Sequence, residues 1–246
     1  MPRTVSWFSR GTASAVATGL TLKEYPDAII VHCATNSEDE DNDRFQRDCE
    51  VWWGRSVTTI ASEEYASTWD VWERHRWING VKGARCTGEL KIAPRLEFQR
   101  HDDIHVFGYT SDRADIARAK RLRENYPELD IRTPLIDAGL DKRACMAIVT
   151  SSGVALPKVY TWGLHNANCI PCGKGESPGY WAVIRKFAPE KFWRFAKLSR
   201  ELGARCLVIA KVRYFVDELP EDWPLTEAVA PRCDMLCHLA QQDINS

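Results

Sequence analysis

Thr4-Val5-Ser6-Trp7-Phe8, followed by Ser9-Arg10-Gly11-Thr12-Ala13-Ser14, is the stretch whose reading decides the fold. The first five residues are β-prone. The next six are small, polar residues around a glycine, which makes a turn. Val16, Gly19 and Leu20 then recur at helical spacing. Pro26 closes that helix, and Ala28 to Cys33 is a continuous apolar run suited to a parallel strand covered on both faces. Strand, glycine loop, helix and strand in about thirty residues form a βαβ unit.

The pattern recurs outward from there. Asn42 to Trp53 reads as a helix with Phe45, Cys49 and Trp52 on one face, and Val57 to Ala61 as a strand. Tyr65 to Trp77 reads as an aromatic helix, and Ile104 to Gly108 as a strand ending in glycine. Ala114 to Asn125 is a charged helix, and Leu129 to Pro134 a short strand ahead of a helix from Asp141 to Ser151. Such alternation predicts an α/β parallel sheet with ligands beyond the carboxyl ends of its strands. From Pro157 the character changes to a glycine-rich loop, Gly173 to Gly179, and a helix from Pro189 to Leu202. The expected division is therefore an α/β domain over 1–156 and a cysteine-bearing extension over 157–246 packed on it.

Composition narrows the class. The 246 residues carry 33 Lys+Arg against 34 Asp+Glu and are 44% hydrophobic, enough for a core and too balanced for a generic polyanion binder. No apolar run approaches the roughly 20 residues of a membrane span. The N-terminus lacks the apolar stretch of a secretory signal, so a cytoplasmic protein without a membrane partner is expected. Ten tryptophans include Trp52, Trp53, Trp69, Trp72 and Trp77, read as core.

The loop after the first strand has its own chemistry. A helix start presents unpaired backbone N–H groups and partial positive charge, which favour an anion. Gly11 allows close approach, the hydroxyls of Ser9, Thr12 and Ser14 can donate to phosphate oxygens, and Arg10 can add charge. The glycine spacing fits neither a Walker loop nor a dinucleotide fingerprint, and an ordinary turn with a serine N-cap is the alternative.

Nine cysteines in a chain of this kind suggest metal or redox groups. Cys33, Cys49, Cys145 and Cys206 read as small buried hydrophobes. Cys169-Ile170-Pro171-Cys172 and Cys233-Asp234-Met235-Leu236-Cys237 can together close a four-thiolate site for Zn²⁺ or an iron–sulfur cluster. Five cysteines compete for these four positions; with the two pairs preferred, Cys86 stays outside the set, where neighbouring Arg85 favours its thiolate and makes it a nucleophile or sulfur-relay candidate, a structural ligand or buried thiol being the alternative.

Several segments carry a resemblance: Trp7-Phe8-Ser9-x-Gly11-x-x-Ser14, Cys33-x-Thr35-x-Ser37-Glu38, Gly83-Ala84-Arg85-Cys86-Thr87-x-Glu89-Leu90-Lys91, Phe107-Gly108-Tyr109-Thr110, Asn168-Cys169-Ile170-x-Cys172 and Gly179-Tyr180-Trp181. Together they resemble the phosphoadenosine phosphosulfate (PAPS) reductase-like branch of the adenine nucleotide alpha hydrolase (PP-loop, HUP) superfamily, including its phage and prophage proteins. The resemblance implies a five-stranded parallel sheet with ATP or a related adenine nucleotide at its carboxyl edge. Ser9, Arg10, Gly11, Thr12, Ser14, Thr35, Ser37, Gly108, Tyr109 and Thr110 would form the nucleotide site. Arg85 and Lys91 would be anion contacts beside Cys86. The resemblance also points to [4Fe-4S] rather than zinc. Mg²⁺ would accompany a triphosphate, with Glu38, Asp39, Asp41 and Asp43 as candidate acids, although that run also reads as a solvated helix start.

Three functions follow. The first is an adenine nucleotide-dependent enzyme of the adenylating or sulfur-transfer type, acting on a small molecule or nucleobase. The second is a nucleotide-binding sensor or accessory protein, for which Ala13 and Ala34, standing where the family often has acidic residues, speak. The third is a zinc-stabilised module binding nucleic acid (tRNA or DNA) through Arg185, Lys186, Lys191, Arg194, Lys197 and Arg200 interleaved with aromatics. A homo-oligomer is compatible with each.

Overall fold

A computed structural model describes residues 2–79 and 83–225. The chain runs β1 (Thr4–Trp7), α1 (Thr12–Glu24), β2 (Ile29–Cys33), α2 (Asp41–Trp53), β3 (Thr58–Ile60), α3 (Thr68–His75), α4 (Arg85–Thr87), a π-helical turn (Gly88–Ile92) and α5 (Ala93–Phe98). It continues with β4 (Ile104–Val106), α6 (Arg113–Asn125), β5 (Asp130–Arg132), α7 (Pro134–Asp137), α8 (Lys142–Ser151) and a 3-10 turn (Lys158–Trp162). The last described elements are α9 (Pro178–Phe187), α10 (Pro189–Glu201), the strands β6 (Leu207–Ile209) and β7 (Val212–Tyr214), and a short 3-10 turn (Val216–Glu218).

These elements sort into two compact units, each discontinuous in sequence. Residues up to Cys33, Glu40–Ile60 and Arg95–Pro157 form the first; Ala34–Asp39, Ala61–Pro94 and Lys158 onward form the second. The last crossing falls after Pro157, and two earlier segments join the later unit, which a linear division at 156 does not anticipate.

The first unit is built on a five-stranded, all-parallel sheet in the order β3-β2-β1-β4-β5. Val5 of β1 stands opposite Ile29 of β2 on one side and His105 of β4 on the other. The strand order reverses between β1 and β4, so the loops leaving these two strands meet at the topological switch point where open α/β sheets bind ligands. One side of the sheet is packed by Ala15, Val16 and Ala17 of α1 with Leu135, Cys145 and Val149, and with Phe45 and Cys49 of α2. Burial of Cys33, Cys49 and Cys145 here matches their reading as small hydrophobes, and burial pushes the Cys145 thiol up to about 11.

On the strand face that carries Trp7, the indole lies side by side and nearly coplanar with the His105 ring (6.1 Å between centroids, 7° between planes) and meets Phe98 edge-on (6.2 Å). Burial pushes His105 down to about 4, so the ring is neutral at pH 7. Its folded value lies below the unfolded one of about 6.5, so this stabilisation is present above pH 6.5 and lost as the pH falls toward 4. The shift corresponds to at most about 3 kcal/mol. Urea midpoints between pH 7 and 4 are expected to fall more steeply for the wild type than for His105→Phe; equal slopes would contradict this account.

The second unit has its own core, in which Trp72, Trp181, Phe192 and Phe195 are fully buried. Trp181 packs on Phe195 at 4.7 Å and donates its indole N–H to the carbonyls of Gly175 (3.0 Å) and Cys206 (3.3 Å). Cys206 is buried as expected.

Local expectations are corrected at two places. The aromatic helix is shorter than Tyr65 to Trp77: Ser67 caps it by accepting from the Asp70 N–H, and left-handed Arg76 (φ 49°) ends it. Trp77 thereby leaves the helix and is 41% exposed instead of core. Gly179 belongs to α9, not to the preceding loop, because Ser177 caps that helix and Pro178 occupies its first turn. No helix among the described residues is long and apolar enough to cross a membrane.

Candidate functional site

In the first unit, the candidate site is the loop between β1 and α1. Here the unusual backbone is at Arg10 (φ 56°), while Gly11 is extended and serves as N-cap with no side-chain cap. A non-glycine residue in the left-handed region is uncommon and clusters at functional loops. The serine N-cap alternative is not what forms. Ser14 lies inside the first turn; its hydroxyl donates to the Gly11 carbonyl (2.9 Å) and accepts from the Ser9 N–H and hydroxyl (3.1 Å each). Thr12 is fully buried and Ser9 is exposed. The Arg10 guanidinium is turned onto α2, donating to Gln46 (2.8 Å) and Asp43 (2.7 Å). Asp41 and Asp43 sit in the first turn of α2, as the helix-start reading of that acidic run expects.

The loop after β4 closes on the same turn. A Cβ on Gly108 would stand 2.7 Å from both Cα and N of Ser14 and 2.9 Å from the Ala13 carbonyl carbon. Only glycine lets the two loops approach this closely. Beyond it Tyr109 and Thr110 are buried, and the Thr110 hydroxyl donates to Asp112 (2.8 Å) and Asp115 (2.9 Å) at the start of α6. Thr110 therefore fixes the loop, and the groups left to meet an anion are the first-turn amides of α1.

Of the ten residues expected at the nucleotide, Thr35 and Ser37 fall in the second unit. Ser37 is tied to Thr68, whose N–H (3.1 Å) and hydroxyl (2.8 Å) both donate to it. Thr35 lines a small pocket together with Cys86, Thr87, Lys91, Cys169 and Cys172. Thr68, Trp72, Asn168, Gly173 and Lys174 complete its wall. Cys86 is thus brought together with the Cys169–Cys172 pair, whereas it was expected outside the thiol set. Cys233 and Cys237 lie outside the described residues.

The pocket is built from two segments. The α4–π-helical segment offers Cys86, Thr87 and Lys91, while Arg85 turns to Glu89 in an ion pair of 2.9 Å. The Cys-x-x-Cys loop, with a cis Ile170–Pro171 peptide, is held by the Cys172 N–H donating to Tyr180 Oη (2.6 Å) and by the Ile170 N–H donating to the Ser37 carbonyl (2.7 Å). Gly175 lies against the Tyr180 ring, where a Cβ would come within 2.3 Å. Lys174 and Thr68 were not singled out from sequence. Lys174 directly follows Cys-Gly, a signal that was present; Thr68 reaches the pocket only through the tertiary fold.

The Cys169 thiol donates to Thr35 Oγ1 (3.1 Å), and burial pushes it up to about 12 against the opposing pull of Lys91. It is a neutral thiol near pH 7. Its alkylation in metal-free protein, followed by mass spectrometry, is expected to accelerate about tenfold per pH unit from about 8 to 11, since the thiolate is the nucleophile. A plateau near pH 9 would contradict this. Among the described residues no three His, Cys, Asp or Glu side chains are grouped to hold a metal ion as they stand. The donor type suits zinc or iron–sulfur, and ligation would require these thiols to turn onto the metal with loss of their protons.

The basic tail helix has its aromatics inward at Phe192 and Phe195 and its Trp193 exposed. Arg185 donates to the carbonyls of Leu219, Pro220 and Glu221, Arg194 pairs with Glu73, and Arg200 with Asp217. These three arginines serve the fold of the unit, as an amphipathic helix predicts.

The fold and loops define an α/β protein with a five-stranded parallel sheet flanked by helices and a switch-point loop pair. Comparison of the sequence with protein-family models and with curated proteins returned no match.

Proposed function

We propose that this chain is an adenine nucleotide-dependent enzyme of the PAPS reductase-like, PP-loop type, with ATP or a related nucleotide held by its phosphates at the first turn of α1. The observation that carries the reading is the meeting of the β1 and β4 loops at the sheet's switch point, with Gly108 against the backbone of Ser14. In this reading the first-turn amides of α1 bind the phosphates, and Gly108 fixes the width of the cradle. The thiol pocket of the second unit supplies the sulfur chemistry, with Cys86 as nucleophile and Lys91 as the cation that orients an anionic group. Cys169 and Cys172 would contribute to an iron–sulfur or zinc centre, which when bound would stabilise their thiolates, and Cys86 would stay outside that ligand set.

Calorimetry with ATP, together with pyrophosphate release in the presence of candidate acceptors, tests the nucleotide half. Anaerobic purification with iron, sulfide and zinc analysis tests the thiol half. No uptake of any adenine nucleotide would end the proposal.

A sensor without turnover is the second reading. It is favoured by the engagement of Arg10 with Asp43 and Gln46, and of the Ser14 hydroxyl with Gly11, inside the loop itself. Nucleotide-dependent melting with no pyrophosphate released would select it.

A further inference from the structure

The first unit buries an arginine that has no acidic partner. Arg95 on α5 is 0% exposed; its Nη1 donates to Gln99 Oε1 (2.7 Å), while Nε and Nη2 have no hydrogen-bond partner. Those two N–H groups leave the guanidinium side by side along one edge, spaced to meet two oxygens of a single group. The chain uses this edge three more times. Arg3 grips Asp103 with it (2.8 and 2.7 Å), Arg44 grips Asp41 (2.7 and 2.8 Å) and Arg132 grips Asp130 (2.8 and 3.0 Å). At Arg95 the same edge faces the interior, and among the described residues no carboxylate forms an ion pair with it. The Tyr126 ring stands 6.0 Å from its Cζ, and Cys33 and Glu128 act on it only through their electrostatic field.

A second buried donor lies on the strand face that α5 covers: Phe98, three residues on from Arg95, meets Trp7 edge-on, and Trp7 is bonded to His105. His105 is 0% exposed, and its Nδ1 takes the indole N–H of Trp7 at 3.1 Å. An indole N–H only donates, so Nδ1 is the acceptor and the neutral ring carries its proton on Nε2. That Nε2 has no partner either. All three open positions are therefore donors, and one belongs to a fixed positive charge. Water satisfies donors but does not offset a buried charge.

We propose that Arg95 and His105 form a buried oxyanion site in the first unit, taking a small ion with two adjacent oxygens across the Nε–Nη2 edge of Arg95. The ligand class is a phosphate, sulfate or carboxylate small enough to be enclosed. The site uses no residue of the Ser9–Ser14 loop and stands whether or not that loop holds a nucleotide.

The test uses full-length ¹⁵N-labelled protein in chloride buffer at constant ionic strength. Sodium phosphate, sulfate and formate are titrated while the Arg95 Nε–H resonance is followed, assigned by its loss in Arg95→Lys. At least one oxyanion is expected to shift that resonance saturably and raise the melting temperature, with chloride doing neither. Arg95→Lys keeps the charge without the paired donors and is expected to weaken the thermal effect about tenfold or more. His105→Phe, which preserves a ring beside Trp7 and lacks the Nε2–H, is expected to weaken it severalfold and serves if Arg95→Lys does not fold. The proposal is overturned if no oxyanion moves the resonance, or if all arginine Nε–H signals move together. A crystal structure from sulfate showing only water, or a carboxylate of the chain itself, on the Arg95 edge also overturns it.

Discussion

Gly108→Ala is expected to lower the stability of the first unit by about 3 kcal/mol and to abolish nucleotide uptake. The added methyl would stand 2.7 Å from two backbone atoms of Ser14, closer than any carbon tolerates, and backbone in the first turn of α1 has no side-chain rotation with which to yield. Either the β4 loop withdraws or the turn deforms, and both outcomes misalign the amides that face an anion. Urea unfolding measures the first effect and calorimetry with ATP the second. Stability within about 0.5 kcal/mol of wild type, with unchanged affinity, would show that the two loops do not meet as described.

Trp72→Ala is expected to cost about 3–5 kcal/mol in the second unit. The side chain is fully buried, meets Trp69 edge-on at 5.2 Å and Phe195 at 5.4 Å, and forms part of the thiol pocket wall. Removing it opens a cavity next to the cysteines. Alkylation of Cys86 and Cys169 should therefore accelerate in parallel with the loss of stability. Trp72→Phe retains an aromatic ring and is expected to lose less than half as much. A Trp72→Ala protein with wild-type urea midpoint and labelling rates would remove Trp72 from the core and the pocket alike.

The opening βαβ unit was legible because its signals are local: a β-prone run, a glycine turn, a helical spacing and an apolar strand. The buried cysteines were legible because each stands alone, outside any paired spacing, in mixed or apolar surroundings. The assembly of Ala34–Asp39 and Ala61–Pro94 with the C-terminal segment was not, because it rests on long-range packing that leaves no period in the sequence. The β6–β7 hairpin was missed for a specific cause. Its turn places Ala210 (φ 48°) and Lys211 (φ 68°) in the left-handed region, where an Asn-Gly pair would have signalled it. The helical segment from Arg85 to Phe98 was hidden by Gly88 and Pro94, which break the spacing that marks a helix.

At the candidate site, the chemistry-bearing residues were easier to find than their partners. Cys169 and Cys172 stand out by type and spacing, Cys86 by type, and Lys91 through the segment that carries the resemblance. Their convergence in one pocket, with Thr68 and Trp72 supplied by α3, depends on tertiary structure. Arg10 shows the converse. Its charge invited a ligand contact, yet Asp43 and Gln46, one helix later, hold it.

The interleaving of the two units sets an order on biosynthesis. The chain passes from one unit to the other after Cys33, Asp39, Ile60, Pro94 and Pro157. As it leaves the ribosome, the first unit lacks its last helices until residue 157 has emerged, and the early strips of the second wait longer for the segment that completes their core. A cut after Pro157 would keep the first unit's segments together but strand those strips without their partners, so the second unit is not obtained by simple truncation.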